Sequence, residues 1–154
     1  MNGGLSLEAK IAQLFMFGFS GTKVTPFIKE FILEHNLGGI IHFSRNIENP
    51  KQLAILNQEL QNLAEQSPYG SDLLIAIDQE GGTVARLTDG VAVAPSAMAL
   101  GAIQNGTNTE TVCAISGYEL AATGVNMNFA PVVDVNSNPL NPVIGVRSFG
   151  ENAR

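Results

Sequence analysis

Residues 73–82 read LLIAIDQEGG: five apolar residues, then two carboxylates flanking a glutamine, then two glycines. Asp78 follows a run that reads as a buried strand, so its surroundings are preorganised and partly desolvated. An ionised carboxylate only accepts hydrogen bonds, which suits a ligand with several hydroxyl donors. It equally suits the backbone N–H groups of its own turn. Glu80 lies two residues on, and in extended backbone it shares Asp78's side of the chain. The pair fits a general acid and base, or one carboxylate orienting the other, and the spacing alone does not separate these. Gly81 and Gly82 permit positive φ or a close approach of backbone, and a plain turn explains them as well.

Two arginines extend this set. Arg86 sits in TVARL, eight residues after Asp78, and Arg147 sits in VIGVRSFG. Each offers a rigid fork of donors to hydroxyl or carboxylate groups, or an ion pair to Asp78, Glu80 or Asp134. Asp134 and Asn128 close another apolar run, and Asn136, Asn138 and Asn141 follow in a stretch suited to Asx turns. His35 reads as structural, its charge complementing a helix C-terminus. His42, inside an apolar run, reads as a packed histidine. Cys113 is the only cysteine, which excludes a disulfide framework. Its helical setting suggests a small buried hydrophobe. No His/Cys/Asp/Glu set has metal-ligand spacing, so neither a metal nor a cofactor is expected.

The elements that must carry these residues alternate. Apolar runs at 11–19, 38–46, 72–82 and 125–135 read as strands. Between the first two, Thr25-Pro26 is a cap and first-turn pair. It opens a helix carrying Phe27, Ile28, Phe31 and Ile32, stopped by Gly38 and Gly39. Asn49-Pro50 opens a second helix with a Leu53, Leu56, Leu60, Leu63 stripe, ending at Ser67-Pro68. A third helix is expected from about Thr109 to Thr123. Strands that are apolar on both faces and alternate with helices predict a parallel α/β sheet. A doubly wound sheet would want a glycine-rich phosphate turn, which FGFSGT does not supply. The other architecture is a (β/α)₈ barrel, which takes roughly 250 residues. Against that size, the four βα units of a single 1–154 domain make half of one. In both, function sits at the carboxyl ends of the strands.

Composition narrows the partners. Charged residues are only 14% of the chain. An average soluble protein has roughly 25%. Net charge is −6 without a basic cluster, which argues against nucleic acid. No apolar run approaches the ~18 residues of a membrane span, and no signal peptide is visible. These features fit a cytoplasmic protein.

Taken in order, EAKIAQLFMFGF, GGIIHFSRN, IDQEGGTVARL, PSAMALGA and NMNFAPVVDVNSNPLNPVIGVRSFG resemble the N-terminal domain of glycoside hydrolase family 3. The IDQEGG form is similar to the β-N-acetylhexosaminidase branch. The resemblance implies a (β/α)₈ barrel and retaining cleavage of terminal β-N-acetylglucosaminides from peptidoglycan fragments or chitooligosaccharides. It implies that Asp78, Arg86 and Arg147 bind the sugar in the −1 subsite, with Glu80 and Asp134 in support, and that the glycines let the chain turn beneath the ring. Many relatives carry arginine where this chain has Thr83. The family's acid/base histidine, in a motif like KHFPGHG, and its nucleophilic aspartate are expected beyond residue 154. Residues 1–154 are therefore expected to carry the recognition half of the site, without a catalytic residue and inactive alone. The alternative is a non-catalytic sugar-binding or self-assembling half-barrel, with a homodimer covering the open strand edges.

Overall fold

A computed structural model describes residues 5–153; Met1–Gly4 and Arg154, the ends of the expected domain and of the N-terminal segment read for a signal, lie outside the described residues. The elements run α1 (Leu7–Ala12), β1 (Met16–Phe17), α2 (Pro26–His35), β2 (Gly39–His42), α3 (Pro50–Gln66), β3 (Leu74–Ile77), α4 (Ala97–Ile103), α5 (Gly106–Ala122) and β4 (Met127–Asn128). Single 3₁₀ turns lie at Ser44–Asn46 and Gly145–Arg147. The strands form one parallel sheet in chain order, β1-β2-β3-β4, with Met16 beside Gly39, Ile40 beside Ile75 and Ile77 beside Asn128. Parallel α/β organisation is thus as the alternation predicts.

Local chemistry explains the helices. Thr25 caps α2 by accepting from the Ile28 N–H, with Pro26 in the first turn, and Asn49 caps α3 the same way toward Gln52. Both satisfy a backbone donor that the first helical turn leaves free. The leucine stripe of α3 is buried throughout and meets Ile28 and Ile32 of α2 and Ile40, Ile75 and Ile77 of the sheet. Each such fully buried Leu or Ile contributes roughly 1.5–3 kcal/mol. His42 is wholly buried in this layer. Its Nε2 lies 2.7 Å from Asn57 Oδ1, and Asn57 Nδ2 donates to Thr123 O at 2.8 Å. The second bond turns Oδ1 toward the ring, so Nε2 carries the proton. Burial lowers the His42 pKa, only partly offset by Asn57. The packed-histidine reading holds.

Several boundaries differ from the sequence reading. The 11–19 run is not one strand: Ser6 accepts from Ala9 N–H and starts α1, leaving two residues for β1. The segment after the helix packs against Gly38, where a Cβ would lie 2.0 Å from Gln13 O. The α2 helix stops at Asn36, in left-handed conformation at φ 62°, and not at Gly38 and Gly39, which lead into β2. Only two residues of 125–135 pair as β4, so Asp134 lies on an exposed loop beyond the strand. Helix α4 was not foreseen; it is one short element with Gly101 inside, capped by Ser96. The sheet is covered by helices on one face, whereas on the other Leu74 is 50% exposed. Cys113 is exposed, because α5 buries only Leu120 among the described residues.

Candidate functional site

The carboxyl ends of β2, β3 and β4 converge on the segment Asp78–Leu87. Asp78 and Glu80 are half-buried and Gln79 between them is buried, the alternation expected of extended backbone. The two carboxylates nevertheless go to different partners. Asp78 Oδ2 accepts from Arg86 Nη2 at 2.8 Å. Glu80 accepts from Arg147 in a fork, Nη2 to Oε1 at 2.7 Å and Nε to Oε2 at 2.8 Å. Each carboxylate already faces a guanidinium, so the structure favours Glu80 as an orienting group over an acid/base pair with Asp78.

The Arg147 fork reaches across 67 residues and fixes the 145–147 turn over the β3 loop. Its hydrogen bonds to Glu80 raise the Arg147 pKa; burial opposes this, and the fields of Glu80, Asp78 and Asp134 add to it. Asp134 therefore acts at a distance: its side chain is on an exposed loop, and its backbone carbonyl accepts from Ser148 Oγ at 2.6 Å. Helix α4 supports the same loop, since Gly101 leaves room for Phe149 O at 1.9 Å from where a Cβ would stand. Asn138 and Asn141 make the expected Asx turns. Asn136 does not; it is buried and its backbone N–H bonds Gly150 O.

The glycines are explained by backbone contact. Gly81 has φ +95° and a Cβ there would lie 2.6 Å from Pro95 O; at Gly82, φ +56°, it would meet Ser96. Both conditions for glycine hold, and the neighbour is the segment leading into α4.

Three buried or part-buried amides were underweighted in sequence. Asn46 Nδ2 donates to Phe19 O and Gly21 O, while its Oδ1 accepts from Phe43 N–H, joining the ends of β1 and β2. Gln79 and Asn128 do the equivalent between the 79–87 loop and β4. The signal for them is an amide at a strand end inside an otherwise apolar stretch. Arg45 stacks 4.5 Å from the Phe43 ring centroid, with Arg86 5.8 Å from the same ring. A pocket of about 280 Å³ lies behind Glu80 and Arg147, walled by Leu100, Leu120, Pro131 and Phe149. Asp78 and Arg86 are not in its lining; their side chains are partly exposed after β3.

Thr83 is exposed. His35 sits in the last turn of α2 as read, where Glu30, Glu34 and His35 bring their ligand atoms within 4.8 Å of one another on the exposed helix surface. This grouping was not foreseen from sequence spacing. No described helix is long and apolar enough to cross a membrane.

Comparison with known proteins bears on this geometry. Residues 6–154 match the glycosyl hydrolase family 3 N terminal domain. The structure of a glycoside hydrolase family 3 beta-N-acetylglucosaminidase from Paenibacillus sp. str. FPU-7 superposes with a TM-score of 0.94 at 49% identity, covering 97% of this chain and 28% of that one. NagZ from Neisseria gonorrhoeae, solved in complex with N-trifluoroacetyl-D-glucosamine, gives 0.77 at 33% identity over 90% of this chain and 41% of its own. Beta-hexosaminidase A of Pseudoalteromonas piscicida is 45% identical over 135 residues, 85% of this chain and 23% of that protein. The chain thus spans well under half the length of each of these relatives.

Proposed function

The chain belongs to glycosyl hydrolase family 3, and on that premise we propose that residues 1–154 form the N-terminal part of a catalytic barrel that hydrolyses terminal β-N-acetylglucosaminides with retention. Asp78, Arg86 and Arg147 bind the non-reducing N-acetylglucosamine, with Glu80 and Asp134 in support. The substrates are peptidoglycan fragments or chitooligosaccharides, and the protein works in the cytoplasm. The observation that carries this is the partly exposed Asp78–Arg86 pair at the carboxyl end of β3, with Arg147 brought to the same loop by Glu80. An acceptor-only carboxylate beside donor-only guanidinium groups matches a sugar ring, whose hydroxyls do both.

Retaining hydrolysis also requires a nucleophile and an acid/base, typically carboxyls about 5–5.5 Å apart. Asp78 and Glu80 are each committed to an arginine, and no KHFPGHG-like motif occurs in the sequence. Catalysis is therefore assigned to residues outside 1–154, and this chain alone is inactive. Two assays test the reading together. The purified 154-residue protein should bind N-acetylglucosamine in an NMR titration and lose that binding on Asp78→Ala. It should not turn over a chromogenic N-acetylglucosaminide. Turnover by the chain, or binding indifferent to Asp78, refutes the assignment.

A self-assembling half-barrel is the second reading. It is favoured by the unpaired outer edges of β1 and β4 and by the strongly exposed Leu14, Val133 and Leu140. A discrete dimer in sedimentation equilibrium supports it, and a monomer at high concentration refutes it.

A further inference from the structure

We propose that Gln79 is a positioning residue for the sugar clamp, itself held in place by Asn128; this rests on the reading of Asp78 and Arg86 as sugar ligands. Gln79 is 7% exposed, and its amide is spent wholly inside the protein. Oε1 accepts from the backbone N–H of Arg86 at 2.8 Å and of Leu87 at 3.1 Å. Nε2 donates to Leu87 O at 2.7 Å. Three bonds thus tie the residue beside Asp78 to the backbone of Asp78's own partner and the residue after it.

Asn128 grips the other side. Its Oδ1 accepts from Gln79 N–H at 2.9 Å and its Nδ2 donates to Gln79 O at 3.0 Å. Backbone pairing between β3 and β4 ends at Ile77 and Asn128, so the asparagine amide continues the ladder by one more rung. Asp78 lies between Ile77, whose carbonyl is bonded by Phe129 N–H, and Gln79, bonded at both backbone groups.

The arginine needs this support. Arg86 Nε is buried without a hydrogen-bond partner, and one Nη2 contact holds the guanidinium to Asp78. Arginine carries about 2 kcal/mol of rotamer entropy, so a single bond fixes it poorly. The backbone of both partners is set instead, and the clamp stands ready before a sugar arrives. Glutamine suits the task because one planar amide offers an acceptor and a donor. Leucine offers neither. Glutamate keeps the two accepted bonds but sets its second carboxylate oxygen against the Leu87 carbonyl, where the amide donates at 2.7 Å, so it restores the hold only in part.

The test is NMR on the 154-residue chain, well below its melting temperature. The Arg86 Nε–H signal and the affinity for N-acetylglucosamine are compared in the wild type, Asp78→Asn, Gln79→Leu and Gln79→Glu. In folded Gln79→Leu the Arg86 signal should move to its Asp78→Asn position and affinity should fall at least tenfold, with Gln79→Glu between Gln79→Leu and wild type. An unmoved Arg86 signal and unchanged affinity, whatever the melting temperature does, overturn the proposal as a merely structural role. If the wild type binds no sugar, the proposed function fails and the Arg86 signal alone decides the positioning role. Should Gln79→Leu not fold, Asn128→Leu is read in its place: the same movement supports the proposal and constancy overturns it.

Discussion

Replacing Glu80 by glutamine and Arg147 by methionine, singly and together, measures how firmly the 145–147 turn is fastened to the β3 loop. The contact is a fork with both carboxylate oxygens engaged at 2.7 and 2.8 Å. The Glu80 side chain is 9% exposed and the Arg147 side chain 27%. Double-mutant cycles give about 0.2–1 kcal/mol for fully exposed ion pairs and about 0.5–3 kcal/mol for residues in direct contact or one network. A two-bond fork buried on its acid side and partly wet on its basic side belongs in the upper part of that range, giving a coupling of about 2 kcal/mol. The Asp78–Arg86 pair is the internal standard. It is one contact, with side chains 22% and 28% exposed. That predicts a coupling of about 1 kcal/mol or less. Urea unfolding followed by far-ultraviolet circular dichroism reads both cycles, since the chain has no tryptophan. For a domain of this size, about 2 kcal/mol corresponds to about 4–8 °C in melting temperature. A Glu80–Arg147 coupling below about 0.5 kcal/mol, or smaller than that of Asp78–Arg86, refutes the reasoning. Glu80 would then be a mobile carboxylate, and its role as an orienting group would be lost.

Other perturbations follow from the same contacts. Asn57→Leu removes the partners of His42 Nε2 and Thr123 O together, and should cost about 2–5 kcal/mol in urea unfolding. Burial lowers the His42 pKa from its ordinary 6.5. As pH falls, the unfolded chain therefore binds the proton first; stability is full above that ordinary value and declines below it. His42→Gln should flatten the acid side of the pH–stability profile. Gly81 has φ +95° with Pro95 O 2.6 Å from a new Cβ, so Gly81→Ala should cost about 2–4 kcal/mol. Cys113 should react stoichiometrically with a thiol reagent in the native protein, without denaturant.

Much of the frame was legible because it depends on local chemistry. Thr25-Pro26 and Asn49-Pro50 announce helix starts through bonds made within three residues. The leucine stripe of α3 announces the buried face. What was missed depends on distant chain. The 11–19 run has the composition of a strand, but its first residues finish α1, and the chain after that helix is placed by a close approach to Gly38 that only the fold reveals. Cys113 sits in an apolar-looking helix whose pattern does not say which face is covered. At the site, Asp78, Glu80 and Arg86 stood out as charges at a strand end. Gln79, Asn46 and Asn128 stand at strand ends too, but their bracing role is not legible, since an amide's partner is invisible until the fold brings a specific backbone group to it. The pairing of Arg147 with Glu80 was one of three acids open to it, and a separation of 67 residues hides the choice.

The two arginine pairs also differ in when they can form. Asp78 and Arg86 are eight residues apart, whereas Glu80 and Arg147 are 67 apart. Loop-closure entropy grows as about 3/2 RT ln n, so the longer loop costs about 2 kcal/mol more to close. The first pair needs only the hairpin-like loop after β3. The second waits until α4, α5 and β4 have docked. The first pair is therefore a contact of one loop, whereas the second exists only when the whole segment between residues 80 and 147 is in place.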